Sequence, residues 1–119
     1  MVRLRSMNWN SLQKPDQLPQ LVKESAERKI LLFKHSTRCS ISRTTLDRLE
    51  RSWNESEIGN IKPYFIDLIA HRELSNTIAE YFGVEHQSPQ VLIISNGKSV
   101  YDRSHFNIDF QQIKEALRN

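Results

Sequence analysis

The stretch Ile30-Leu31-Leu32-Phe33-Lys34-His35-Ser36-Thr37-Arg38-Cys39-Ser40-Ile41-Ser42 decides the fold. It begins as a nearly continuous apolar run, the pattern of a strand covered on both faces. It ends in an amphipathic helix that starts near Cys39 and extends to about Trp53, with Leu46, Leu49 and Trp53 at i, i+3 and i+7. Arg43/Asp47 and Asp47/Arg51 form i,i+4 charge pairs on its wet side. Cys39, the only cysteine of the chain, therefore falls where a strand feeds a helix. Unpaired backbone N–H groups and the positive end of the helix dipole gather there and favour thiolate over thiol. Cys39 and Ser42 form a Cys-x-x-Ser, a Cys-x-x-Cys redox pair with its second sulfur replaced by a hydroxyl. That substitution points to thiol–disulfide chemistry by a single sulfur.

Outward from this stretch, the pattern predicts further elements. Met1 to Lys14 reads as an irregular approach, with Trp9 and Leu12 available to cover a core edge. A helix is expected from Asp16, its cap, to about Arg28, with Leu18, Leu21, Val22 and Ala26 as the apolar stripe and Pro19 in the first turn. Lys62 to Ile69 contains a second buried strand centred on Tyr64-Phe65-Ile66, with Pro63 tolerated at its start. A helix from about His71 to Phe82 turns Leu74, Ile78, Tyr81 and Phe82 inward and stops at Gly83. Gln90 to Ser95 and Lys98 to Arg103 form a hairpin about Asn96-Gly97. The last helix starts at Asp109, with Gln112 reaching back and Ile108 stapled to Ile113. The order α-β-α-β-α-β-β-α makes the first two strands parallel and the last two antiparallel. This is an α/β chain with the thioredoxin-like fold: a mixed four-stranded sheet with helices on both faces. Its reactive group belongs at the carboxyl end of the first core strand.

Composition narrows the function classes. A chain of 119 residues, 38% hydrophobic and 26% charged, is expected to be a single domain (residues 1–119) with a core that needs neither disulfide nor metal. No apolar run reaches the ~20 residues that span a bilayer, and Met1 to Met7 is not a secretory signal. A cytoplasmic location with no membrane partner is the expectation that fits best. The net charge of +3 is spread and interrupted by acids, unlike the concentrated basic face of a nucleic-acid binder. His35, His71, His86 and His105 show no ligand spacing, so no metal is expected.

The candidate site gathers around Cys39 as nucleophile. Arg38 adds a permanent positive charge beside it. Ser42, one turn on, reads as a hydrogen-bond donor to the thiolate or as a first-turn serine satisfying backbone groups, two compatible roles, but it cannot resolve a mixed disulfide, so release needs an outside thiol. Ser88-Pro89 stands before the third strand, the place where this fold holds a cis-proline facing the cysteine and offers backbone groups to an extended substrate. His35 reads equally as base, local cation or backbone-bonded histidine, and His86 as a buttress of the proline loop or a solvated residue.

Three segments resemble the monothiol bacilliredoxins of the YtxJ type: Lys34 to Ser42, Gly83-Val84-Glu85-His86-Gln87-Ser88-Pro89-Gln90, and Ser104-His105-Phe106-Asn107-Ile108. The family's usual Thr-Cys-Pro-Ile-Ser is Arg38-Cys39-Ser40-Ile41-Ser42 here, which returns an N–H after the cysteine and adds a charge. The resemblance implies that Cys39 attacks the mixed disulfide between a client protein and bacillithiol, a low-molecular-weight thiol that serves as co-substrate with no bound cofactor. Thr37, Arg38, Ser88 and Pro89 would form the docking surface, and Arg38 could meet the carboxylates of bacillithiol's malyl group. Partners would be thiolated client proteins and a small thiol or reductase for regeneration, acting on a monomer. Two other readings stand beside it: a thioredoxin-like binding module without catalysis, and a thiol-based oxidant sensor.

Overall fold

The structure, a computed structural model, describes residues 9–118. Its centre is a mixed sheet whose strands are β1 (Asn10–Ser11), β2 (Ile30–His35), β3 (Lys62–Asp67), β4 (Gln90–Ser95) and β5 (Lys98–Ser104). Their spatial order is β1-β3-β2-β4-β5. The β2/β3 pair is parallel, and β2/β4 and β4/β5 are antiparallel. The sheet has five strands, not the four expected. Asn10 and Ser11, placed in the irregular segment by their sequence, pair in parallel with Tyr64 and Phe65 at the edge. Two polar residues carry no strand pattern of their own. They are held by the fully buried Leu12, whose N–H donates to Phe65 O at 2.9 Å, and by Trp9 packed on Phe33 and Phe65. Residues 1–8 of the expected irregular segment lie outside the described residues.

Two helical layers cover the sheet, and alternation along β2 and β4 explains both. Leu31, Phe33, Val91 and Ile93 face one side, under α2 (Ser40–Ser52) and α5 (Phe110–Arg118), which contribute Leu49, Phe110, Ile113 and Leu117, with Trp53 added at the C-cap of α2. Ile30, Leu32, Leu92 and Ile94 face the other, under Leu18 and Leu21 of α1 (Leu18–Glu24) and Leu74 and Ile78 of α4 (Arg72–Phe82). A short helix not foreseen, α3 (Glu55–Ile58), precedes β3.

Local signals set most boundaries. Asn96 (φ 52°) and Gly97 (φ 77°) take the two left-handed positions of the hairpin turn, and Gly83 (φ 67°) ends α4. Asp109 Oδ2 accepts the Gln112 N–H at 3.2 Å at the start of α5. Other expectations fail for tertiary reasons. A single 3-10 turn at Pro15–Gln17 precedes α1, and Asp16 lies inside that turn instead of capping the helix. The helix stops at Glu24, so Ala26 is exposed in a turn. Ser25 ends it: its hydroxyl donates to Val22 O at 2.6 Å, while its Oγ and O accept the N–H groups of Gly97 (2.8 Å) and Asn96 (2.9 Å). The hairpin turn thus docks on the helix end. Tyr81 points outward, 56% exposed, because Phe82 and Val84 already cover that end of the core.

Candidate active site

Cys39 is a free, half-buried thiol at the N-cap of the thirteen-residue α2. Its backbone is extended (φ −105°, ψ 118°), its N–H donates to Ser36 O at 3.1 Å, and its carbonyl accepts the Arg43 N–H at 3.1 Å. The sulfur makes no capping hydrogen bond. The N–H groups of the first helical turn have no partner within the helix and, with the dipole, leave positive potential at the sulfur. Thr37 and Arg38 form the exposed turn just before it.

Of the two roles open to it, Ser42 takes the one that satisfies a backbone group. It is fully buried. Its Oγ accepts the Ser36 N–H at 3.1 Å and lies 2.7 Å from His35 Nδ1. The hydroxyl ties the end of β2 to the first turn of α2. Burial lowers the pKa of His35, Asp67 and Glu50 raising it and Arg43 opposing them, so the ring is neutral at pH 7 and is no local cation. A neutral Nδ1 accepting the Ser42 hydroxyl, whose oxygen accepts the Ser36 N–H, pairs these three groups. Ser42→Ala is expected to leave the Ser36 N–H and His35 Nδ1 unpaired in a dry site, costing about 1–3 kcal/mol. Urea unfolding measures it; an unchanged midpoint would show the clamp to be idle.

The Ser88–Pro89 peptide bond is cis, and Pro89 is buried. Pro89 O accepts the His105 N–H at 2.9 Å. His105 has a left-handed backbone (φ 55°) at the head of a 3-10 turn, His105–Asn107, that sets Phe106 66% exposed beside the proline loop. Ile41, in the first turn of α2, is a second exposed apolar side chain.

His86, upstream of the proline, meets two residues that sequence reasoning did not single out. Its Nδ1 lies 3.5 Å from Lys34 Nζ and 3.1 Å from Ser75 Oγ. Lys34 is fully buried, and burial pushes its pKa down to about 8. Burial also lowers His86, helped by the nearby charges of Lys34 and Arg72. The signal for Lys34 was present as the single charge in a strand otherwise apolar on both faces. Ser75 and Phe106 carried no such signal. Among the described residues, no three His, Cys, Asp or Glu side chains gather as a metal ion would require, and no helix is long and apolar enough to cross a membrane.

Known proteins show the same arrangement of elements. A candidate oxidoreductase with a thioredoxin fold is 29% identical, with 89% of this chain and 90% of that chain covered at a TM-score of 0.76. Thioredoxins from Malassezia sympodialis (11% identity, 99% and 95% covered, TM-score 0.73) and Fasciola hepatica (20% identity, 92% and 96% covered, TM-score 0.68) share the fold. The family described as monothiol bacilliredoxin BrxC matches residues 10–113, from β1 into α5. With that match over nearly all the described residues, the single sulfur at the head of α2 included, the chain belongs to the monothiol bacilliredoxin family.

Proposed function

We propose that the protein is a monothiol thiol–disulfide oxidoreductase that removes a low-molecular-weight thiol of the bacillithiol type from mixed disulfides on client proteins. The carrying observation is the place of Cys39, a free half-buried thiol at a helix N-cap with no second cysteine in the chain to resolve it. Its thiolate attacks the small-thiol sulfur of the client mixed disulfide. A new S–S bond joins Cys39 to the small thiol, the old S–S bond breaks, and the electron pair leaves on the client sulfur, which takes a proton from water. One disulfide replaces another, so no net oxidant is consumed. A second thiol from solution then displaces Cys39 as thiolate and leaves as a small-molecule disulfide.

Thr37 and Arg38, exposed just before the thiol, would form the docking surface with the Ser88–Pro89 bend, and exposed Ile41 and Phe106 would offer apolar contact to the client. The chemistry fits a monomer in the cytoplasm, where a reducing thiol pool supplies the second step. Intact-mass spectrometry of the protein mixed with a bacillithiolated client tests the reading. The chain should gain the mass of the small thiol less two hydrogens at Cys39 while the client loses it. A client that stays modified beside an unmodified Cys39 would sink the proposal.

A further inference from the structure

A cavity of about 250 Å³ opens beside the proline loop, lined by Leu68, Arg72, Ser75, Asn76 and His86. Behind the His86 ring, 3.5 Å from its Nδ1, stands the fully buried Lys34 ammonium. Three basic groups thus converge on one small space. Among the described residues no carboxylate is bonded to any of them, and the neighbours in sequence, Glu73 and Glu85, are exposed. Lys34 can only donate and the Ser75 hydroxyl lies 3.1 Å away, so Nδ1 of His86 is the acceptor and the ring proton sits on Nε2. That N–H, the Arg72 guanidinium, the Ser75 hydroxyl and the Asn76 amide are then donors of the kind a carboxylate accepts.

The cavity lies at the same end of the sheet as Cys39. Parallel β2 and β3 both finish there, and antiparallel β4 begins there with Gln90 opposite Lys34. Leu68, on the cavity wall, donates its N–H to His35 O at 2.9 Å. From His86 to Pro89 the chain spans at most about 11 Å. We propose that this cavity is the subsite for the carboxylate end of the low-molecular-weight thiol, holding it while its sulfur reaches Cys39 past the Ser88–Pro89 bend. The inference rests on the adduct-removal reading above and supplies that reading with a specificity determinant on α4, a helix that does not carry the thiol. The same chemistry could be offered by an acidic side chain of the client, so the test separates the two sources.

Two measurements are made on the full chain. In the first, Cys39→Ala protein is titrated with L-malate, the dicarboxylate probe, and with uncharged L-malamide as control, following the His86 ring resonances by NMR. Saturable shifts with malate alone, lost in Cys39→Ala/Arg72→Ala, are expected; shifts that are absent, or that persist without Arg72, overturn the proposal. In the second, adduct removal is compared on one client carrying either bacillithiol or uncharged 2-mercaptoethanol. Arg72→Ala should lower the kcat/KM ratio of the two adducts about tenfold, equivalent to ~1.4 kcal/mol, through the KM for bacillithiol. An equal loss on both adducts would assign the cavity to a client carboxylate and overturn the small-thiol assignment. Failure of the wild type to remove either adduct would defeat the enzyme reading, whereas the malate titration would still decide the cavity.

Discussion

Replacing Cys39 by alanine is expected to reduce adduct transfer to the rate of uncatalysed exchange while the chain stays folded. The nucleophile is the only group here able to form the new S–S bond, because the chain has one cysteine and Ser42 is an alcohol. Stability should change little. The sulfur is half-buried and caps nothing, so its removal opens no core cavity and orphans no N–H that was paired. Circular dichroism and a urea midpoint close to wild type would establish the fold, and intact-mass assays on a bacillithiolated client would read the loss. The same variant separates the enzyme from a binding module. A module would hold its clients without Cys39 and would show no turnover with it. Transfer that continued without the sulfur would remove the mechanism altogether.

Lys34→Met is expected to stabilise the protein at neutral pH, by about 3 kcal/mol from a folded pKa near 8 against the ordinary 10.5. The cause is the burial of an ammonium whose nearest partner is a neutral imidazole at 3.5 Å. Methionine has similar reach and no charge to desolvate, and exchanging a buried ion for an apolar side chain of similar volume is commonly neutral or stabilising. The pH dependence fixes the sign. Above about 10.5 neither folded nor unfolded chain holds the proton, and the penalty vanishes. As the pH falls from there towards 8 the unfolded chain binds a proton that the folded chain refuses, so wild-type stability declines. Below about 8 both states are protonated and the deficit is constant. The gap between variant and wild type, measured by urea unfolding, should therefore be large at pH 7, shrink above about pH 8 and close only above about pH 10.5. A variant less stable than wild type at pH 7 would mean that the ammonium is compensated inside the fold. A charge kept at such a cost fits a group held for a ligand, and the same variant should lose preference for the carboxylate-bearing adduct.

The amino-acid order alone determined the parts of this protein that depend on neighbours along the chain. Continuous apolar runs wrote β2 and β4, apolar spacing wrote α2, α4 and α5, and Asn96, Gly97 and Gly83 took the left-handed positions that few other residues tolerate. The place of Cys39 at the strand-to-helix junction was legible for the same reason, since a strand pattern ends and a helix pattern begins around it. Tertiary structure decided whatever needed a partner distant in sequence. Asn10 and Ser11 became a strand because β3 presented an open edge, and α1 ended early because the hairpin turn claimed Ser25. The Ser42 hydroxyl turned to His35 because its face of α2 meets the sheet. Lys34, one letter in an apolar run, met His86, Ser75 and the cavity only when the sheet and α4 closed around it. Backbone preference is set within a few residues, but the direction and protonation of a polar side chain are set by whatever the fold brings against it.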